Sequence, residues 1–106
     1  MNDVFFYHLI LAILQPTRIT EIVAYARDEF PGQFAGPEGE ARLREVHASA
    51  KRDGSIIQVR KGSYCITKHT SQILRGALGG GAGKNFSSEI DNQRIFMLKK
   101  ARKAVR

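Results

Sequence analysis

Three groups of cationic side chains have the types and spacing to meet a polyanion. Arg44, Lys51 and Arg52 fall in one stretch, Arg60 and Lys61 sit next to Gly62, and Lys99, Lys100, Arg102 and Lys103 crowd into five residues near the end. Ammonium and guanidinium groups bind phosphate oxygens, and arginine or lysine can also pair with the N7 and O6 acceptors of guanine. Seventeen Lys and Arg against ten Asp and Glu give a net charge of +7 over 106 residues. Residues 1–67 hold eight basic and eight acidic side chains, so that part is neutral. Residues 68–106 hold nine basic residues against Glu89 and Asp91, so the whole excess lies there. That distribution makes the C-terminal part the electrostatic element.

Other chemistries fail on spacing. Gly83-Lys84 lies in a glycine run before an expected helix, as a phosphate loop does. However, Leu78 stands where the first glycine of that motif belongs, and Asn85 where Ser or Thr should follow. His8, His47 and His69 are far apart and have no companion cysteine or carboxylate cluster, so no metal site is expected. His8 reads instead as an interface residue of the first helix. Cys65, the single cysteine, rules out an internal disulfide and has no paired base that would make it a nucleophile. With no paired-carboxylate arrangement either, an enzyme and a cofactor are not expected.

The length suits one domain with one modest core. A hydrophobic fraction of 42% and a charged fraction of 25% are ordinary for a globular chain. The apolar run from Val4 to Leu14 is 11 residues long, too short to span a bilayer. It follows Asp3 and ends at Gln15-Pro16 without a small-residue cleavage site, so it reads as a buried helix and not as a secretion signal or membrane segment. The expected location is the cytoplasm.

The elements that must position the cations follow from periodicity and punctuation. A first helix, Asp3 to Leu14, stops at Pro16 and is apolar almost all round. A second, capped by Thr17 or Thr20, carries Ile19, Ile22, Val23, Ala26 and Phe30 on one stripe and ends at Pro31-Gly32. A third starts at Pro37, buries Leu43, Val46 and Ala50, and ends at Asp53-Gly54. Its outward face is Ala41, Arg44, Glu45, Ala48, Lys51 and Arg52, and Glu38–Arg42 and Glu40–Arg44 are spaced as stabilising i, i+4 pairs. Ser55 to Val59 and Ser63 to Thr67 alternate as β-strands around Arg60-Lys61-Gly62, a hairpin turn. Thr67 caps a fourth helix with Ile73, Leu74 and Leu78 as its apolar positions. Residues 79–87 form a glycine-rich linker. Residues 88–106 follow as a basic amphipathic helix with Ile90, Met97, Leu98, Ala101 and Val105 on one side.

The predicted fold is mainly α with a small β-hairpin wing, a winged helix-turn-helix over residues 1–78 plus the C-terminal amphipathic helix. The segment GSIIQVRKGSYCIT resembles the wing of the winged-helix domain at the N-terminus of Mrr-type restriction endonucleases and in many small bacterial regulators. Gly54, Ile56, Val59, Arg60, Gly62, Tyr64, Ile66 and Thr67 occupy the motif positions, while Thr70 stands where a glycine often follows. The resemblance implies a DNA-binding protein, either a transcriptional regulator or the recognition subunit of a restriction or antiphage-type system. The third helix would enter the major groove, with the wing and basic C-terminal helix on phosphates. A winged-helix adaptor for protein–protein assembly, or an RNA binder, is the alternative. The excess apolar surface of the first helix suggests a homodimer formed through that helix and the C-terminal one.

Overall fold

A computed structural model describes residues 3–78 of the chain. The linker expected at 79–87 and the helix expected at 88–106, with Lys99, Lys100, Arg102 and Lys103, lie outside the described residues. The elements are α1 (Asp3–Leu14), α2 (Ile19–Glu29), a one-turn α3 (Pro31–Phe34), α4 (Pro37–Asp53), β1 (Ile56–Arg60), β2 (Ser63–Ile66) and α5 (Lys68–Leu78). The arrangement is mainly α with a two-stranded antiparallel hairpin after the helices, compatible with a winged-helix shape. The predicted third helix is therefore α4.

Two local expectations are corrected. The N-cap of α2 is Arg18, with no side-chain cap, and not Thr17 or Thr20. The Thr17 hydroxyl instead donates to the Glu21 carboxylate at 2.5 Å. Pro31-Gly32 does more than end α2, because Pro31 opens the extra turn α3, as proline favours a first helical position.

Helix α1 forms the centre of the core. Tyr7, Ile10, Leu11 and Ala12 are inaccessible to solvent, and α2, α4, β2 and α5 all pack on the helix. Phe5, Phe6, Leu9 and Leu14 are half-buried against the same core, and Val4 is 52% exposed. The homodimer expectation also involves residues 88–106, which lie outside the described residues.

The seat of α4 is built by residues that local periodicity does not reveal. Phe34 of α3 is fully buried, edge-on to Phe6 of α1 at 5.7 Å. Gly39, in the first turns of α4, lies directly against the Phe34 backbone. A Cβ there would sit 2.6 Å from the Phe34 carbonyl carbon and 2.7 Å from its Cα. Arg42 does not take the i, i+4 partner Glu38. It donates to Asp3 of α1 at 3.0 Å and to the Gln33 carbonyl, and its guanidinium lies 5.7 Å from the Phe34 ring centroid. The start of α4 is thereby fixed to α1 and α3.

Beyond α4, Gly54 adopts the left-handed conformation at φ +77, ending the helix as the sequence requires. The hairpin pairs Ile56 with Ile66, Ile57 with Cys65, Gln58 with Tyr64 and Arg60 with Ser63, with an irregularity at Val59. Thr67 caps α5 as expected, accepting from the Thr70 N–H at 3.1 Å. Thr70, standing where the winged-helix pattern often has glycine, turns its buried hydroxyl to the Ser55 carbonyl at 2.8 Å and so ties α5 to the start of the hairpin. Ile73 departs from expectation. Leu74 is buried on α1, but Ile73 is 59% exposed, because α5 packs chiefly on α1 and Ile73 faces away.

Candidate nucleic-acid interface

All six residues assigned to the outward face of α4 are outside the core, and four of them define its cationic and acidic rim: Arg44, Glu45, Lys51 and Arg52. The inward set is Leu43 and Ala50, buried, with Val46 half-buried against the core. This division follows from anchoring α4 at both ends, by Phe34 and Arg42 at its start and by the hairpin at its finish. Arg60 and Lys61 project at the hairpin turn, where Gly62 takes φ +78, a conformation that other residues rarely adopt.

The cations differ in what already holds them. Arg44 donates to Glu40 at 2.9 Å, the predicted i, i+4 pair, and Glu40 also accepts from Arg27 of α2 at 3.1 Å. The hydrogen bond from Arg44, followed by the charges of Arg44 and Arg27, holds the Glu40 carboxyl below its ordinary range. Lys51 lies over the Tyr64 ring, 5.7 Å from its centroid. Among the described residues, Arg52, Arg60 and Lys61 form no ion pair within 4.0 Å. Solvent screening leaves an exposed ion pair little net strength, and an exposed cation–π contact contributes about 0.5–1 kcal/mol. Neither holds Arg44 or Lys51 strongly enough to prevent a phosphate or guanine edge from taking over.

Behind this face, a polar chain links α1, α4 and β2. The Tyr7 hydroxyl, kept protonated by burial and by the neighbouring Tyr64, shares a hydrogen bond with Nδ1 of His47 at 2.6 Å. The His47 ring meets Tyr64 edge-on at 5.1 Å. His47 therefore sits between Arg44 and Lys51 on the helix while its ring is tied inward. Burial, then the charges of Lys51 and Arg44, lower its pKa. His8 is held similarly, by the Val4 carbonyl at 2.8 Å and Ser55 Oγ at 3.2 Å. Burial lowers its pKa against the opposing effects of Val4 and Asp53.

Both imidazoles bind protons less readily when folded than at their ordinary 6.5. The unfolded chain then holds more protons below that pH, so stability falls as pH drops. The expected result is a melting temperature that declines from about pH 6.5 downward, before the carboxylates of Glu40 and Asp53, both held below their ordinary range, begin to protonate. Thermal melts followed by circular dichroism at stepped pH check this. A melting temperature that rises between about pH 7 and about pH 5.5 would contradict it.

Two surface hollows run beside Val4, His8 and Asp53, one bordered by α4, Glu45 included, and the other by α5, and no residue of the hairpin turn lines either. A duplex is met by convex elements, a helix and a protruding turn, so a pocket is not what this chemistry needs. Cys65 is fully buried on β2. No group of three or more metal-ligating side chains occurs among the described residues, and no helix there is long and apolar enough to cross a membrane.

Sequence reasoning left out the loop before α2. Thr17 and Tyr64 exchange both backbone hydrogen bonds, at 3.1 and 2.9 Å, so this loop lies beside β2 as a third, single-bridge strand. No local signal marks it, because the pairing joins segments far apart in the chain. Comparison with protein-family models, curated proteins and solved structures finds no match to this chain.

Proposed function

We propose that this chain is a small DNA-binding protein of the winged-helix type, with α4 as the groove-reading helix and the hairpin turn as the phosphate-contacting wing. The observation that carries the reading is the joint exposure of Arg44, Lys51 and Arg52 on α4 and of Arg60 and Lys61 at the turn beyond it. Small residues at Ala41 and Ala48 leave room for close approach to a groove, with the three cations around them. The likeness of residues 54–67 to the Mrr-type wing supports the same reading. So does the third-strand pairing of Thr17 with Tyr64, which braces the hairpin against the α1–α2 loop. Transcriptional regulation and the recognition role of a restriction or antiphage system are the two settings this reading favours.

In this scheme the body is electrically neutral and supplies discrimination, while residues 99–103 supply affinity that does not depend on base sequence. The test is to select a preferred duplex from a random pool and then titrate Arg44→Ala and Lys51→Ala against it and a scrambled duplex. Each substitution is expected to cost about 1–3 kcal/mol on the preferred site and less on the scrambled one. Equal losses on both would make these residues phosphate contacts, and no loss on either would remove α4 as the reader.

A further inference from the structure

The bridge between Thr17 and Tyr64 is antiparallel, so the next residue along, Arg18, runs back beside Ser63 and Gly62 at the hairpin turn. A Cβ built on Gly62 would lie 3.8 Å from Arg18 Nε and 3.9 Å from its Cζ, so the guanidinium borders the turn at van der Waals distance. Arg18 is exposed and forms no ion pair among the described residues. The acid nearest to it in sequence, Glu21, is taken by the Thr17 hydroxyl. Arg60, paired with Ser63 across the hairpin, and Lys61 are the two exposed residues that precede this glycine in the turn. By contrast Arg27, Arg42 and Arg44 each already have a carboxylate partner.

We propose that Arg18 joins Arg60 and Lys61 in a phosphodiester-binding site at the hairpin turn. The proposal rests on the reading of the chain as a duplex-DNA binder and adds to it a contact from a segment distant in sequence from the wing. The guanidinium presents a planar fork of N–H donors suited to two phosphate oxygens at once, and it carries a charge at any physiological pH. Its backbone is fixed in extended form at φ −101 and ψ 157 by the bridge beside it, so less freedom is given up when the contact forms. With no side chain at residue 62, a phosphate can reach the turn backbone and the guanidinium together. The ligand is backbone phosphate and not a base, so Arg18 contributes equally on every duplex.

The test measures binding of the full chain to a duplex by fluorescence anisotropy over a salt series, for wild type, Arg18→Gln, Arg18→Lys and the Arg60→Gln/Lys61→Gln pair. Arg18→Gln is expected to lower the slope of log K against log salt by about 0.9 and to weaken binding about eightfold at about 0.1 M salt, equally on preferred and scrambled duplexes. Arg18→Lys, which keeps the charge, should retain the wild-type slope, and thermal melts of both variants should match wild type because Arg18 is exposed. A wild-type slope for Arg18→Gln beside a reduced slope for the Arg60/Lys61 pair overturns this inference and leaves the DNA-binding reading intact. Equal slope reductions for Arg18→Gln and Arg18→Lys also overturn it, since charge would then not be what matters. Failure of the wild-type chain to bind duplex removes the DNA-binding reading, and this site with it.

Discussion

Phe34→Ala lowers the free energy of unfolding by about 3–5 kcal/mol, and the melting temperature by roughly 12–40 °C for a domain of this size. The ring is inaccessible to solvent and fills the space where α1, α3 and the start of α4 meet, edge-on to Phe6 at 5.7 Å and flanked by the Arg42 guanidinium. Truncation strips out the apolar ring and leaves a cavity that the surroundings can close only by moving α4. A small domain has about 5–15 kcal/mol in total, so the variant should be marginal at physiological temperature. Gly39→Ala approaches the same seat from the other side. Its new methyl would overlap backbone atoms of Phe34, which cannot rotate away as a side chain could, and a destabilisation of about 1–3 kcal/mol is expected. Thermal unfolding followed by circular dichroism measures both. A Phe34→Ala melting temperature within a few degrees of wild type would show that the α3 turn does not hold α4 in place.

Replacing Lys99, Lys100, Arg102 and Lys103 together with Ala should weaken binding to every duplex. The slope of log K against log salt should fall by up to about 0.9 for each phosphate that is no longer neutralised. Four such phosphates amount to a drop of up to about three and a half orders of magnitude in affinity near about 0.1 M salt. The expectation comes from the charge distribution in the sequence: residues 1–67 are neutral, and the entire +7 falls after them. Because the effect is electrostatic, the ratio of affinities for preferred and scrambled duplexes should stay nearly constant while both affinities drop. An unchanged salt slope would sink the assignment, and a change confined to the preferred duplex would transfer these residues from phosphate contact to base recognition.

Features with a local physical cause were legible in the sequence. Pro16 and Pro37 mark helix boundaries, Gly54 and Gly62 take the positive φ values their turns need, and Thr67 caps α5. The inward and outward faces of α4 also follow from its period, with Leu43 and Ala50 buried and Arg44, Lys51 and Arg52 exposed. What escaped is set by contacts between distant segments. Arg42 is spaced for Glu38, but a tertiary partner on α1 wins, since Asp3 and the Gln33 carbonyl offer it two acceptors at once. Phe34 lies in a four-residue turn too short to show a period, and the need for glycine at position 39 appears only once that turn is packed beneath it. The packing of α5 on α1 is another contact between distant segments that the sequence of α1 alone does not show. Arg18 joined the candidate site for the same reason: its neighbours at the wing come from the far side of the hairpin.

The most direct test of duplex-DNA binding is competition at several salt concentrations between a labelled DNA duplex and unlabelled duplex, RNA of equal length and single-stranded DNA. A winged-helix DNA binder with a basic C-terminal segment should show a log K that falls linearly with log salt, with a slope of several units, and should prefer the duplex over RNA throughout. Affinity that is insensitive to salt, or a duplex displaced more readily by RNA than by DNA, would contradict it.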